Sequence, residues 1–358
     1  MAWKTRRGSA GFRRIIMKGF FSIGKKGSLV LALALALVCL LAAGAAWAEE
    51  TGTCGANLRW TLSDQGTLKI TGTGPMTDYA FYDGYSSGTQ SPWVSSGASF
   101  FISRIEIGEG VTSVGSYAFI YFDMLEEVSL PSTLTQIGES AFEQSPNLRA
   151  VSFPAALKSI GANAFHDCAA LEEASFAEGL QSIGDSAFSG CGSLVSVGLP
   201  STVRTIGRAS FQGCASLRQV MLPAGLTAVP DSAFKSAGDL TYIYLPDTVT
   251  TVGTGAFEGT AGGFTVYCGE GSRAARWAAG EGYPVSLLTA DRIVLPDDLQ
   301  EIDAEAFAGL SGTQAIVVPA SVSAIARDAF KDTDVILSCP AGSYTARWAL
   351  ANDVPVMP

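Results

Sequence analysis

Nine phenylalanines share one register, and that register restricts the fold more than any other feature of the chain. An Ala-Phe or Ser-Phe pair recurs at Phe119, Phe142, Phe165, Phe188, Phe211, Phe234 and Phe257, each 23 residues after the last, and again at Phe307 and Phe330, also 23 apart. Other positions recur with it. One unit reads Leu171, Ala174, Phe176, Leu180, Ile183, Gly184, Ala187, Phe188, Cys191; the next reads Leu194, Val197, Leu199, Pro200, Val203, Ile206, Gly207, Phe211, Cys214. A unit this short cannot bury its own apolar face. Stacked units bury Leu over Leu and Phe over Phe, so the repeat specifies a solenoid with a continuous core.

Within each unit one segment alternates apolar and polar, as in Val128-Ser129-Leu130, and reads as a short strand contributing to a parallel sheet along one side. Pro131, Pro154, Pro200, Pro223, Pro246, Pro296 and Pro319 follow such segments and end them, because Pro has no N–H for a ladder. The Gly after Ile, at Gly115, Gly138, Gly161, Gly184, Gly207 and Gly253, is expected to supply a tight turn that a side chain would obstruct. Residues that alternate with the inward Val and Leu point away from the core. Rung by rung they are Arg104 and Glu106, Glu127 and Ser129, Ala150 and Ser152, Glu173 and Ser175, Ser196 and Gly198, Gln219 and Met221, then Tyr242 and Tyr244. The face runs from charged through small to apolar and aromatic. Met221, Tyr242, Tyr244 and Gln219 are the candidate binding residues, since exposed Tyr and Met offer apolar area with a polar handle.

The pattern Leu-x-x-Val-x-Leu-Pro-x-x-Leu-x-x-Ile-Gly-x-x-Ala-Phe-x-x-Cys resembles the BspA-like leucine-rich repeats of bacterial surface and secreted proteins, over roughly residues 102–268 and 290–339. The resemblance implies a leucine-rich-repeat solenoid with short parallel strands, one per repeat, and a role in adhesion. The segment Cys54-Gly55, Trp60, Leu62, Gly66, Leu68, Ile70, Gly72, Gly74 looks like the one that often precedes these repeats. It reads as a β-hairpin over residues 53–74, turning at Ser63-Asp64-Gln65-Gly66, that caps the first rung. Residues 75–100 read as an irregular loop folding back onto that rung.

The spacing from Phe257 to Phe307 is 50 residues and breaks the register. Here Cys268…Ser272…Trp277 recurs 71 residues later as Cys339…Ser343…Trp348. Each reads as a strand followed by a Ser-capped closing helix whose Trp packs inward. The expected organisation is a leader at 1–48, a β cap and loop at 49–100, a seven-rung array with closing helix at 101–288, and a two-rung array with closing helix at 289–358.

Residues 1–48 hold eight basic and no acidic residues, and the rest of the chain holds 15 basic against 33 acidic. A basic stretch, an apolar run from Leu29 to Ala46, and Ala46-Trp47-Ala48 before Glu49 read as a cleaved export signal, with an uncleaved membrane anchor as the alternative. Met17-Lys18 would start a signal of ordinary length, and Arg13-Arg14 faintly resembles a twin-arginine signal. Cys39 sits in a poor lipoprotein context. After cleavage no membrane insertion is expected. The acidic body argues against a nucleic-acid partner.

Chemistry finds little purchase. His166 is the only His, at a repeat position that varies among Glu143, Ser189, Gln212 and Lys235, and reads as an ordinary surface residue. No Cys-x-x-Cys pair, calcium-loop spacing or Ser/His/Asp motif is present, and Asp297, Asp298 and Glu301 form no distinguished carboxylate pair. No catalytic residue, metal or cofactor is expected. Cys168, Cys191 and Cys214 share one slot with Ser145, Ala237 and Thr260, a tight site suited to buried free thiols. Rungs about 4.8 Å apart also leave a cross-rung disulfide open. The expected function is an exported recognition protein binding a protein or glycan outside the cell. A structural module of the envelope is the alternative.

Overall fold

The computed structural model describes residues 50–80, 89–288, 292–310 and 315–358. The expected leader, Cys39 and the Ala48–Glu49 junction lie outside the described residues, as do residues 81–88 of the expected loop. Thr51–Leu62 and Gly66–Pro358 form one compact unit.

The expected strand is present in each rung, running for example through Arg104–Ile107, Glu127–Ser129, Ala150–Phe153, Glu173–Phe176, Ser196–Gly198, Gln219–Met221 and Tyr242–Tyr244. Neighbouring strands pair parallel with a register of 23, as in Ala174↔Val151 and Val197↔Val220. Each rung adds a second, two-residue strand at its x-Ile segment. Gln136–Ile137, Ser159–Ile160, Ser182–Ile183 and Thr205–Ile206 ladder beside Val111–Val114 in a separate sheet. Between the two strands the Pro carbonyl closes a turn, accepting the N–H three residues on, as from Leu157 to Pro154 and from Val203 to Pro200 at 3.0 Å each.

The glycine after Ile is required for a reason other than the expected turn. Among these glycines none has positive φ. A Cβ on Gly207 would instead lie 2.3 Å from the backbone N of Asp185, and one on Gly184 2.5 Å from that of Ala162. The rungs approach too closely there for any side chain.

The left-handed conformations lie on either side of the Phe. Residues two before it (Ser140, Asn163, Ser186, Ala209) and two after it (Gln144, Asp167, Gly190, Gly213) all have φ between 49° and 77°. This alternation aims the segment's N–H groups at the next rung. Asn163, Phe165 and Asp167 donate to the carbonyls of Asp185, Ala187 and Ser189, and Ser186, Phe188 and Gly190 donate to those of Arg208, Ser210 and Gln212.

Inside, the Phe rings form a column. Phe142, Phe165, Phe188, Phe211, Phe234 and Phe257 stack at 5.2–5.5 Å between centroids. The column is closed at both ends. The hairpin Leu58–Leu62 with Thr67–Gly72 pairs antiparallel, Trp60 opposite Ile70, and its second strand extends the sheet by pairing with Arg104–Ile107. One helical turn, α1 (Pro92–Ser95), brings the fully buried Trp93 onto Phe119 at 5.1 Å. At the other end α2 (Arg273–Glu281), capped by the Ser272 hydroxyl, sets Trp277 5.8 Å from Phe257. A shorter column, Phe307 on Phe330 at 5.2 Å, ends on Trp348 of α3 (Tyr344–Ala351), which Ser343 caps.

Candidate functional site

The outward residues of the first stack point as the alternation dictates, but they do not share one environment. Arg104, Glu127, Ser129, Ala150, Ser152, Glu173 and Ser175 are exposed, whereas Ser196 and Gly198 are half-buried. Gln219, Met221 and Tyr242 are buried, at 4%, 2% and 8% exposure, and Tyr244 is half-buried. The expected exposed Tyr–Met patch is therefore corrected: those side chains leave the first core only to enter a second contact.

The cover is the chain's own C-terminal stack. Its sheet orders Arg292–Val294, Ala315–Val317, Ile336–Ser338 and Val356–Met357. The outward side chains of that sheet meet those of the first. Met221 reaches the second stack's own core cluster, which includes the inward-facing Ile316, Leu337 and Val356. Tyr244 and Tyr267 pack against Leu288, Ala315, Ile336 and Met357. The Tyr242 hydroxyl donates to the Val354 carbonyl at 3.2 Å and stands 3.5 Å from the Gln219 amide. Arg218 pairs with Asp353. The contact ends near Gly198, where an added Cβ would lie 3.1 Å from that of Ala341. Burial holds the Tyr242 phenol up at about 12. No 23-residue periodicity encodes which faces of two stacks meet. The outward Tyr, Tyr and Met were its only trace, and they read equally as a ligand surface.

What stays open is a polar sheet face. Lys69 lies 3.9 Å from Glu106 and Arg104 2.6 Å from Glu127, so the charges at its N-terminal end are paired. Beyond them the face is small and hydroxylated, with Ser129, Ala150, Ser152 and Ser175, the last donating to Glu173 at 2.9 Å.

The three stacked cysteines are free thiols, fully buried. Each Sγ reaches a carbonyl of the preceding rung: Cys168 to Phe142, Cys191 to Phe165 and Cys214 to Phe188, at 3.2–3.3 Å. Burial raises Cys168 and Cys214 to about 12, far from a reactive thiolate. His166 is partly exposed, with Nε2 3.5 Å from Asp167. Among the described residues no group of three or more His, Cys, Asp or Glu is placed to hold a metal, and no helix is long and apolar enough to cross a membrane.

The model of the BspA type leucine rich repeat region matches in six copies, over residues 98–218, 135–262 and 287–341. No curated protein matches the chain. Among solved structures, a leucine-rich repeat protein of T. pallidum is 26% identical, with 65% of this chain and 98% of that one covered and a TM-score of 0.41. One from Bacteroides ovatus is 20% identical, covering 85% and 99%, at 0.38. A leucine rich cell surface protein from Faecalibacterium prausnitzii is 20% identical, covering 86% and 99%, at 0.34. The matched repeats span more than half of the chain and coincide with the rungs described above; the chain belongs to the BspA-type leucine-rich repeat family.

Proposed function

We propose that this chain is an exported, non-catalytic recognition protein whose binding surface is the open part of the first sheet face, centred on Ser129, Ala150, Ser152, Glu173 and Ser175. The gradient of exposure along the face supports this reading. The same outward positions are free on the early rungs and filled by the chain itself on the later ones. A flat row of exposed hydroxyls suits hydrogen bonding to a hydroxyl-rich glycan or to a polypeptide backbone. Small side chains let such a ligand approach the sheet closely. Gln219, Met221, Tyr242 and Tyr244 hold the C-terminal stack in this reading. The leader supports delivery outside the cell, and the family supports a surface or extracellular location.

Residues 49–358 would be screened on arrays of glycans and extracellular-matrix proteins. A ligand should lose at least about tenfold in affinity to Ser152→Arg, a change on an exposed position that keeps the fold. Unchanged affinity in the folded variant would move the site elsewhere. Retention by the producing cell's own envelope, with no array ligand, would favour a structural module instead.

A further inference from the structure

Three of the four stack ends are closed: one by the hairpin and Trp93, and two by α2 and α3. The fourth, the N-terminal end of the C-terminal stack, is left uncovered by the described residues. Its first strand, Arg292–Val294, is terminal in its sheet and pairs only with Ala315–Val317 among the described residues. Among the described residues Phe307 stacks only on Phe330. The equivalent apolar rows of the first stack are buried except at Leu130 and Phe176, which are half-buried, but here Ile293, Leu295, Leu299, Phe307 and Leu310 are all only partly covered, and Val294 is 67% exposed.

The edge is competent for pairing. Leu295 donates its N–H to Val317 at 3.0 Å. Strand alternation then turns the main-chain groups of Arg292 and Val294 outward, away from the ladder. An open edge over an apolar end is a template for one more strand.

Charge identifies what fits it. Wherever an ion pair joins two successive layers of the first stack among the described residues, the base is on the earlier layer and the acid on the later: Lys69–Glu106, Arg104–Glu127, Arg149–Glu172, Arg208–Asp231 and Lys235–Glu258. The open rung faces the earlier side. It carries Asp297, Asp298, Glu301, Asp303 and Glu305, all exposed, against one base, Arg292. A second copy meeting it with the same end would bring like charges together.

We propose that this end is a docking site for a basic β-segment of another polypeptide, apolar in alternation and flanked by Lys or Arg, which adds a strand to Arg292–Val294 and closes the second core. The proposal concerns a different surface from the sheet face and stands independently of the function proposed above.

The test uses the full chain and two labelled synthetic peptides with the same alternating Val-Thr core, one flanked by lysines and one by glutamates. Fluorescence anisotropy should show the lysine peptide binding at least about tenfold more tightly, with affinity falling as salt rises. Val294→Pro removes an outward N–H at a tolerated edge position, and Glu301→Lys with Glu305→Lys reverses the rim charge. Each should weaken the lysine peptide by about tenfold while the circular dichroism spectrum is unchanged. If Val294→Pro misfolds, the charge reversal carries the test. Equal binding of both peptides, binding of neither, or binding unaffected by the folded variants would overturn the proposal. So would self-association of the chain, seen by sedimentation, that the edge variant abolishes, since that assigns the end to a second copy.

Discussion

Truncating Phe188 to Ala tests the ring column at its centre. Phe188 is fully buried, stacked 5.2 Å from Phe165 and 5.4 Å from Phe211, and edge-on to Phe176 at 5.7 Å and Phe153 at 6.2 Å. Removing a buried Phe from water-free surroundings forfeits about 1.5–3 kcal/mol of transfer free energy, and each ring pair adds roughly 0.5–1.5 kcal/mol. The stacked rungs on both sides resist collapse into the cavity, so the total lies at the upper end of about 3–5 kcal/mol. Phe307→Ala is the internal control. Phe307 is half-buried with one ring partner, so its loss should cost roughly half as much, about 2 kcal/mol. A single melting curve is a poor readout, because long repeat arrays lose two-state behaviour. Native-state hydrogen exchange resolves the effect by rung. For Phe188→Ala protection should fall first across residues 165–211 and reach the ends of the stack last, since rungs are coupled only through neighbours. Equal costs for the two variants, or protection undiminished around residue 188, would refute the column as the source of stability.

Met221→Ala should cost roughly 2–4 kcal/mol and loosen exchange across residues 315–357 while leaving residues 104–176 unchanged; the reverse distribution would disprove the contact between the faces. Tyr242→Ser with Tyr244→Ser should loosen the same segment, and intact protection there would argue that the tyrosines are free. Gly184→Ala should destabilise by more than about 2 kcal/mol, because its Cβ meets backbone, whereas Gly192→Ala, with open space around it, should be neutral or stabilising by up to about 1 kcal/mol; paired urea titrations compare the two. Burial raises Cys54, Cys168 and Cys214 to about 12 in the fold, above the 9.0 of a free thiol. The unfolded chain therefore releases these protons first, and the contribution is complete below about pH 9 and lost as pH rises toward 12. The urea midpoint should fall over that window, and a constant midpoint would contradict the burial. Export should leave Glu49 as the first residue, which N-terminal sequencing of secreted protein checks against a start at Met1 or Met17.

The 23-residue register made the rungs, their strands and the ring column legible, because each position answers only to its equivalents one rung away. The capped helices were legible too: Ser272 and Ser343 precede matching Arg-Trp-Ala segments. Three features escaped for identifiable reasons. The x-Ile strand has two residues, too few to show an alternation. The glycine after Ile stands where a turn residue would, and only the approach of the neighbouring backbone distinguishes the two uses. The fate of Met221, Tyr242 and Tyr244 depended on a partner face that lies on the other stack, dozens of residues further along the chain. An apolar outward patch carries the same sequence signature whether its occupant is foreign or the chain itself.

The hydrogen bonds around each Phe run one way: Phe165 to Ala187, then Phe188 to Ser210, always from an earlier donor to a later acceptor. Such a ladder has a unit of length. Duplicating or deleting a whole unit between Gly184 and Gly207 leaves every donor facing an acceptor of its own kind, and a small side chain still lies above a small one. Gaining or losing one residue instead puts donors opposite donors and a Cβ into the neighbouring backbone. Lineages of such chains should therefore differ in length by whole rungs far more readily than by single residues, and the reach of the open face becomes a heritable variable that changes in steps.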